Sequence, residues 1–165
     1  MIFTPGTCSK RSRRWALSGA DDVIGDRLKL LARYVDELRI YRKRATSFRV
    51  YQEDMALRRA VERTLQIAVE ACLDIGRRLI ALEGFRYPED NKDVFQVLYE
   101  EGVVPEDLLP ALVEMARFRN LIVHDYARVD DAKVYGILKK RLTDFDAYAR
   151  AIAAYLERGE GDRDE

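Results

Sequence analysis

The sequence predicts an all-α protein, built as an antiparallel bundle of four to five helices. Apolar residues recur at steps of three and four along most of the chain, the period of helices with one buried face. No segment shows the alternating apolar and polar residues typical of a strand. A length of 165 residues, with 48% hydrophobic and 35% charged residues, indicates one globular domain.

The first two predicted helices flank a short polar junction. The first runs from about Asp22 to Arg44, and the second is one long helix from about Phe48 to Glu83. Thr46 and Ser47 between them offer hydroxyls that cap a helix start. The apolar stripe of the first helix consists of Ile24, Leu28, Leu31, Val35 and Leu38. The stripe of the second is longer and heptad-like, as in a bundle: Leu57, Val61, Leu65, Ala68, Cys72, Ile75, Leu79 and Leu82.

Three small residues lie in the second predicted helix or directly after it. Gly76 lies in its interior, where glycine costs roughly 1 kcal/mol relative to alanine, so a close helix approach is expected there. Gly84 follows the helix and is a natural C-terminal stop. Cys72, on the apolar face, is expected to be a small buried residue.

The remaining helices are predicted from shorter stripes. One short helix spans about Lys92 to Glu101 and stops at Gly102. The next begins at about Pro105, a residue that suits a first helical turn, and its stripe reaches Tyr126. Pro110 is early enough to bend only the first turns or to mark a split start. The last helix spans about Ala132 to Leu156, with Asp130 or Asp131 as its N-cap.

The helical domain is therefore predicted to cover residues 23–157. Residues 1–22, with the basic cluster Lys10, Arg11, Arg13 and Arg14, are expected to be a disordered extension rather than an arm that contacts RNA. Residues 158–165 are expected to be a disordered tail. The extension lacks the apolar core of a signal peptide, and no apolar run is long enough to cross a bilayer. The two cysteines show no pairing pattern, which fits a reducing, cytoplasmic compartment.

Charge and metal-ligand patterns restrict the function classes. The formal net charge is zero, so any chemistry on RNA would depend on a local basic cleft rather than on a basic surplus. One histidine and two distant cysteines, Cys8 and Cys72, match no metal-ligand pattern, so no metal site is expected.

The segment RFRNLIVHDY, residues 117–126, departs from the apolar pattern. Arg119 falls on the stripe, at a position where an apolar residue is expected. His124 is the only histidine, and its side chain would point about 140° away from that of Arg119 on one straight helix. A helix end or bend near Val123 would let His124 turn back towards Arg119, and the following DYARVDD favours such an end.

This segment contains the groups needed for cleavage of RNA without a metal. Histidine can exchange a proton with a hydroxyl near neutral pH, and arginine carries permanent charge that matches phosphate oxygens. Asn120 adds an amide that can hold a phosphate or ribose oxygen. The stretch RKRATSFR, residues 42–49, is either a solvated helix junction or an extension of the same cleft.

Each of these residues also has a purely structural interpretation. Arg119 can pair with an acid of the second helix, Glu70 or Asp74, and such a pair would also be compatible with catalysis. His124 can stabilise the negative end of a helix. Tyr126 can be a core residue on the stripe that includes Ile122.

The motif and the order of helices together resemble the HEPN superfamily. RNLIVHDY is similar to its arginine, polar residue, short gap and histidine, and the tyrosine two positions later is typical of the HepT branch. The similarity extends from about residue 23 to 157 through RLKLLARYVDELR, QIAVEACLDIGRRLI, VFQVLYEEGVV and VYGILKKRLTDF.

The resemblance implies a homodimeric toxin ribonuclease of a toxin–antitoxin pair. Arg119 and His124, supported by Asn120, would be catalytic, with the motifs of two chains facing one cleft. The partner would be a minimal nucleotidyltransferase antitoxin that transfers AMP from ATP to Tyr126. The toxin itself would need no cofactor.

Two other functions remain open from the sequence. One is a non-catalytic HEPN helical module that binds a nucleotidyltransferase or a nucleotide. The other is a substrate-binding subunit of an active nucleotidyltransferase.

Overall fold

The computed structural model describes the backbone of residues 17–161 and the side chains of residues 22–159. Within that range the secondary structure is entirely helical. The α-helices are α1 (Leu17–Arg44), α2 (Phe48–Glu53), α3 (Met55–Glu83), α4 (Asn91–Glu100), α5 (Leu109–His124), α6 (Asp131–Lys140) and α7 (Leu142–Gly161). A short 3-10 helix, Tyr126–Arg128, connects α5 to α6.

The all-α prediction is confirmed, and α3 lies at the centre of the bundle. It packs against α1 along its length and also contacts α2, α4, α5 and α6, while α7 packs on α1 and α6. The largest fully buried side chains include Tyr51, Phe95, Phe145 and Tyr148. The Tyr148 hydroxyl donates to the carbonyl oxygen of Cys72 at 2.8 Å, and this satisfies a polar group inside the core.

Two predicted helices are each divided in the structure. The prediction of one helix from Phe48 to Glu83 is wrong at Asp54, where an extended backbone separates α2 from α3. The Asp54 carboxylate accepts from the backbone N–H of Leu57 at 2.9 Å, so this residue caps a new helix instead of continuing the old one. The predicted last helix is likewise divided at Arg141, between α6 and α7.

Other helix bounds differ by less. α1 begins at Leu17, before the predicted Asp22, and α7 continues to Gly161, beyond the predicted Leu156. α5 begins at Leu109 rather than near Pro105, with Pro110 in its first turn. The part of the predicted extension before residue 17, with its basic cluster and Cys8, and residues 162–165 lie outside the described residues.

Several predicted caps and small-residue positions are confirmed. Ser47 caps α2 and Asp130 caps α6. Gly84 ends α3 in the left-handed conformation, with φ of 69°. Cys72 is fully buried.

Gly76 allows α3 and α4 to approach closely, as the sequence predicted. A Cβ atom at this position would lie 2.7 Å from Cγ1 of Val94 and 3.1 Å from Cδ1 of Leu98. These distances are shorter than ordinary van der Waals contact, so the interface requires the absence of a side chain. No helix among residues 17–161 is long and apolar enough to cross a membrane.

Candidate active site

The helix α5 places Arg119 against the central helix α3. Its guanidinium lies 3.3 Å from the Glu70 carboxylate, with side chains 24% and 36% exposed respectively. Asp74, the other acid considered from the sequence, pairs instead with Arg27 and Arg78, each at 3.1 Å. The predicted ion pair is therefore formed with Glu70. It accounts for a charge on the apolar stripe and leaves the guanidinium at a half-buried edge.

The Arg119 guanidinium keeps hydrogen-bonding capacity beyond this pair. Its Nε is buried and has no acceptor among the described residues. Its Nη1 reaches the Asn120 side-chain oxygen only at the long distance of 3.5 Å. A permanently charged guanidinium that is 24% exposed and whose Nη1 is only weakly bound suits an anionic ligand such as a phosphate group.

Asn120 is held by α4, a contact that the sequence did not predict. The side-chain amide of Asn91, the first residue of α4, donates to the Asn120 oxygen at 2.8 Å. Arg77 of α3 in turn donates to the Asn91 side-chain oxygen. A chain of polar side chains therefore links α3, α4 and α5 beside Arg119. Asn91 and Arg77 have no distinguishing sequence signal, because both look like ordinary surface residues.

His124 is the last residue of α5 and is exposed. The helix ends immediately after it, at Asp125, whose N–H donates to the Leu121 carbonyl at 2.9 Å. The predicted helix end is confirmed. The predicted return of His124 towards Arg119 is wrong, because α5 keeps its helical turn through His124. The two side chains therefore leave the helix about 140° apart, on different faces.

Tyr126 lies outside α5, in the 3-10 helix, and is 57% exposed. The interpretation as a core tyrosine is therefore wrong. Its hydroxyl donates to Oε2 of Glu62 at 2.7 Å. Glu62 belongs to α3 and is only 7% exposed. This hydrogen bond, together with partial burial, raises the pKa of Tyr126, because removing the phenol proton would leave two negative charges in contact.

A pocket of about 320 Å³ opens beside this tyrosine. Its charged lining residues are Arg58, Arg59, Glu62 and Asp131, and Asp131 forms an ion pair of 2.8 Å with Arg58. The pocket offers both positive charge and a carboxylate next to an exposed hydroxyl. That combination suits a phosphate-bearing group attached at, or delivered to, Tyr126.

The basic stretch of residues 42–49 is the junction between α1 and α2. Arg44 approaches Asp54 at 3.8 Å, and Arg49 pairs with Glu53 at 2.9 Å. These exposed pairs fit the interpretation as a solvated junction. Within residues 17–161, no three His, Cys, Asp or Glu side chains are grouped as a metal site would require.

The family of the chain follows from a match over most of its helical domain. Residues 31–152 match the family described as Ribonuclease HepT-like. The chain belongs to this family. It is 28% identical over 104 residues to the mRNA nuclease HepT of Shewanella oneidensis, a match that covers 63% of this chain and 78% of the relative. It is 25% identical over 134 residues to the tRNA nuclease HepT of Aphanizomenon flos-aquae, covering 81% and 90% of the two chains.

Solved structures share this fold. The tri-AMPylated Shewanella oneidensis HEPN toxin in complex with MNT antitoxin superposes with a TM-score of 0.74 at 25% identity, over 81% of this chain and 98% of that chain. A toxin–antitoxin complex with AMP-PNP has the same TM-score and coverage at 23% identity. This HepT-like chain therefore has the helical architecture of HEPN toxins.

Proposed function

We propose that this HepT-like chain is the toxin of a toxin–antitoxin pair and cleaves RNA without a metal ion. The observation that supports this most strongly is Arg119. A permanently charged guanidinium occupies a position of α5 where the pattern expects an apolar residue, and Glu70 holds it at a half-buried edge. The HepT relatives are nucleases of mRNA and tRNA, which agrees with RNA as the substrate.

The proposed cleavage uses the RNA's own 2′-hydroxyl. His124 accepts the hydroxyl proton while the 2′ oxygen attacks the neighbouring phosphorus. The bond from phosphorus to the 5′ oxygen breaks, and that oxygen takes a proton from an imidazolium. Arg119 stabilises the extra negative charge on the phosphate oxygens, and Asn120 positions one of them. The products carry a 2′,3′-cyclic phosphate and a 5′-hydroxyl.

The active form is proposed to be a homodimer with one shared cleft. Within one chain, Arg119 and His124 point to different faces of α5. Two copies that face each other would bring an arginine of one copy near a histidine of the other. The same arrangement would provide two histidines, one as base and one as acid, and would concentrate positive charge in a chain of net charge zero.

The toxin is proposed to be inactivated by AMP transferred from ATP to Tyr126 by a minimal nucleotidyltransferase antitoxin. Tyr126 has the exposure that a modified residue needs, and Arg58 and Arg59 lie nearby. Attached AMP would place bulk and a negative charge two residues from His124, where it would compete with RNA. A structural relative is itself AMPylated and bound to an antitoxin.

Growth arrest tests the toxin assignment. The full chain is expressed from an inducible promoter in bacteria without the antitoxin. We expect arrest by the wild type and normal growth with His124→Ala at equal protein level on an immunoblot. The non-catalytic module, the second candidate, binds the same partner but predicts identical growth of the two strains. Identical growth, arrested or normal, would therefore contradict the enzyme proposal.

A further inference from the structure

The hydrogen bond between Tyr126 and Glu62 joins an exposed nucleophile to a buried carboxylate. The distance from Oη to Oε2 is 2.7 Å, a normal length for a hydrogen bond from a hydroxyl to a carboxylate oxygen. The tyrosine is 57% exposed, whereas the glutamate is 7% exposed. A carboxylate taken out of water needs compensation, and here the donor is the hydroxyl of a surface residue.

The arginines near Tyr126 and Glu62 do not form a described hydrogen bond with the Glu62 carboxylate, which is bonded to the tyrosine hydroxyl. Arg58 of α3, which lines the pocket, forms its ion pair with Asp131 of α6 at 2.8 Å. Arg59 lines the same pocket and is exposed. The Glu62 carboxylate thus has positive charge nearby, while its described hydrogen bond is to a proton that can be removed.

We propose that Glu62 is the general base that activates Tyr126 when this tyrosine is modified at phosphorus. The inference rests on the proposed adenylylation. As the phenol oxygen attacks the α-phosphorus of ATP, its proton moves to Oε2 of Glu62. A bond forms between the phenol oxygen and phosphorus, and the bond from that phosphorus to the oxygen bridging to the β-phosphate breaks. Pyrophosphate leaves with the electron pair, and Glu62 later releases the proton to solvent through the pocket.

The surrounding groups fit this step. A tyrosine hydroxyl is a weak nucleophile near neutral pH, because its ordinary pKa is about 10, so removal of the proton during attack lowers the barrier. Arg58 and Arg59 line the open side of the pair, where they can balance the charge of the incoming phosphate. The pocket of about 320 Å³ gives that phosphate access to the hydroxyl.

The charged groups near Tyr126 have opposite effects on the pKa of its hydroxyl. The Glu62 carboxylate raises the pKa of Tyr126, whereas Arg59 and Arg58 lower it. Asp131 of α6 also lines the pocket, and the buried Tyr51 of α2 interacts electrostatically with Tyr126. The tyrosine therefore stays protonated at rest and depends on a base during the reaction.

A chemical probe tests the base without any partner protein. Diisopropyl fluorophosphate reacts with hydroxyls at phosphorus and releases fluoride, so it reports the nucleophilicity of each tyrosine. Trypsin releases Tyr126 in the peptide NLIVHDYAR and Tyr87 in YPEDNK, and mass spectrometry with fragmentation assigns the labelled residue. Tyr87 is 89% exposed and serves as the internal control.

In the wild type we expect Tyr126 to react at least about tenfold faster than Tyr87, despite its lower exposure. In Glu62→Gln the rate of Tyr126 should fall to that of Tyr87, and Glu62→Asp should restore part of it. Equal or faster labelling of Tyr126 in Glu62→Gln would overturn the proposal and would indicate that Glu62 only restrains the hydroxyl. Equal labelling of the two tyrosines in the wild type would overturn it as well, whether or not the variant folds.

The pH profile separates a base from a structural contact. With Glu62→Gln, reaction requires the free phenolate, so its rate should rise by about one order of magnitude per pH unit around neutrality. With the wild type, the slope should be much smaller above the range where a carboxylate titrates. A wild-type slope equal to that of Glu62→Gln would exclude proton transfer to Glu62.

The same variants can be tested with ATP and a minimal nucleotidyltransferase antitoxin of the proposed kind. If AMP appears on the Tyr126 peptide of the wild type and at least about tenfold more slowly in Glu62→Gln, the base role extends to the proposed reaction. If Tyr126→Phe accepts as much AMP as the wild type, the assigned modification site is wrong, a result distinct from failure of the Glu62 inference. Normal RNA cleavage by Glu62→Gln would show that the variant is folded.

Discussion

The amide of Asn91 donates to the side-chain oxygen of Asn120 at 2.8 Å and ties the start of α4 to the candidate active site on α5. Because Arg119 and Asn120 are adjacent, this bond fixes the part of α5 on which the proposed phosphate contacts depend. The contact makes the helix α4 part of the site, although no motif lies on it.

Removing this hydrogen bond should reduce RNA cleavage without unfolding the chain. We expect Asn91→Ala to lower the single-turnover rate about tenfold, since Asn120 loses the group that orients it. The double variant with Asn120→Ala should be no slower than Asn120→Ala alone, because both remove one interaction. Gln96→Ala, also on α4, is the control and should leave the rate unchanged. Fully additive losses would mean that the two asparagines act separately.

The ion pair with Glu70 should orient the Arg119 guanidinium for RNA cleavage. Replacing Glu70 by Gln keeps the shape of the side chain but weakens the hold on the guanidinium. We expect a fall of about tenfold in kcat, with a smaller change in KM, as RNA binding also draws on other basic groups. Glu114→Gln, which affects the exposed pair with Arg117, is the matched control. An unchanged kcat in Glu70→Gln would make the ion pair structural only.

Gly76 and Gly136 should respond in opposite ways to alanine. A methyl group at Gly76 meets Val94 at 2.7 Å, so we expect Gly76→Ala to lower the free energy of unfolding by about 1 to 3 kcal/mol. Gly136, inside α6, has nothing within 4 Å of the new atom. There alanine should raise the free energy of unfolding by up to about 1 kcal/mol through helix propensity. Chemical denaturation measures both, and stabilisation by Gly76→Ala would contradict the close contact.

The Asp93 carboxylate should make stability depend on acidic pH. The Arg86 guanidinium, at 2.7 Å, and the Glu89 N–H lower the pKa of Asp93 from 3.8 to about 2. Its stabilising effect is therefore fully present above pH 3.8 and is lost as the pH falls towards 2.

Asp93→Asn should consequently lower the free energy of unfolding by about 1 kcal/mol near neutral pH. The difference from the wild type should shrink between pH 3.8 and 2. Thermal melts across this range provide the measurement. A difference that stays constant down to pH 2 would show that the carboxylate charge contributes nothing.

Much of the fold could be predicted because apolar residues spaced three and four positions apart indicate which face of each helix is buried. The break at Arg141 could not, since the apolar stripe continues across it from Leu138 to Leu142. The break at Asp54 was missed because no glycine or proline marks it. Asp54 acts through a local contact with the Leu57 N–H, and an aspartate on the polar face of a helix looks the same in sequence whether or not it caps.

The candidate site was predictable only in part, because contacts between residues far apart in the sequence leave no local pattern. Arg119 stood out because a charge interrupts an apolar stripe, and its pair with Glu70 was among the sequence alternatives. The contact between Tyr126 and Glu62 joins residues 64 positions apart. Glu62 is one of many acids on a helix, and only the three-dimensional structure places it beneath the tyrosine.

Cleavage of labelled RNA by the purified chain, with a chelator present throughout, tests the central claim most directly. We predict cyclic-phosphate products from the wild type, and losses of at least about 100-fold in Arg119→Ala and in His124→Ala. Arg117→Ala, an exposed arginine of the same helix, should cleave nearly as fast as the wild type. If the double variant Arg119→Ala/His124→Ala leaves as much RNA intact as the wild type does, the proposed catalytic role of these residues is wrong.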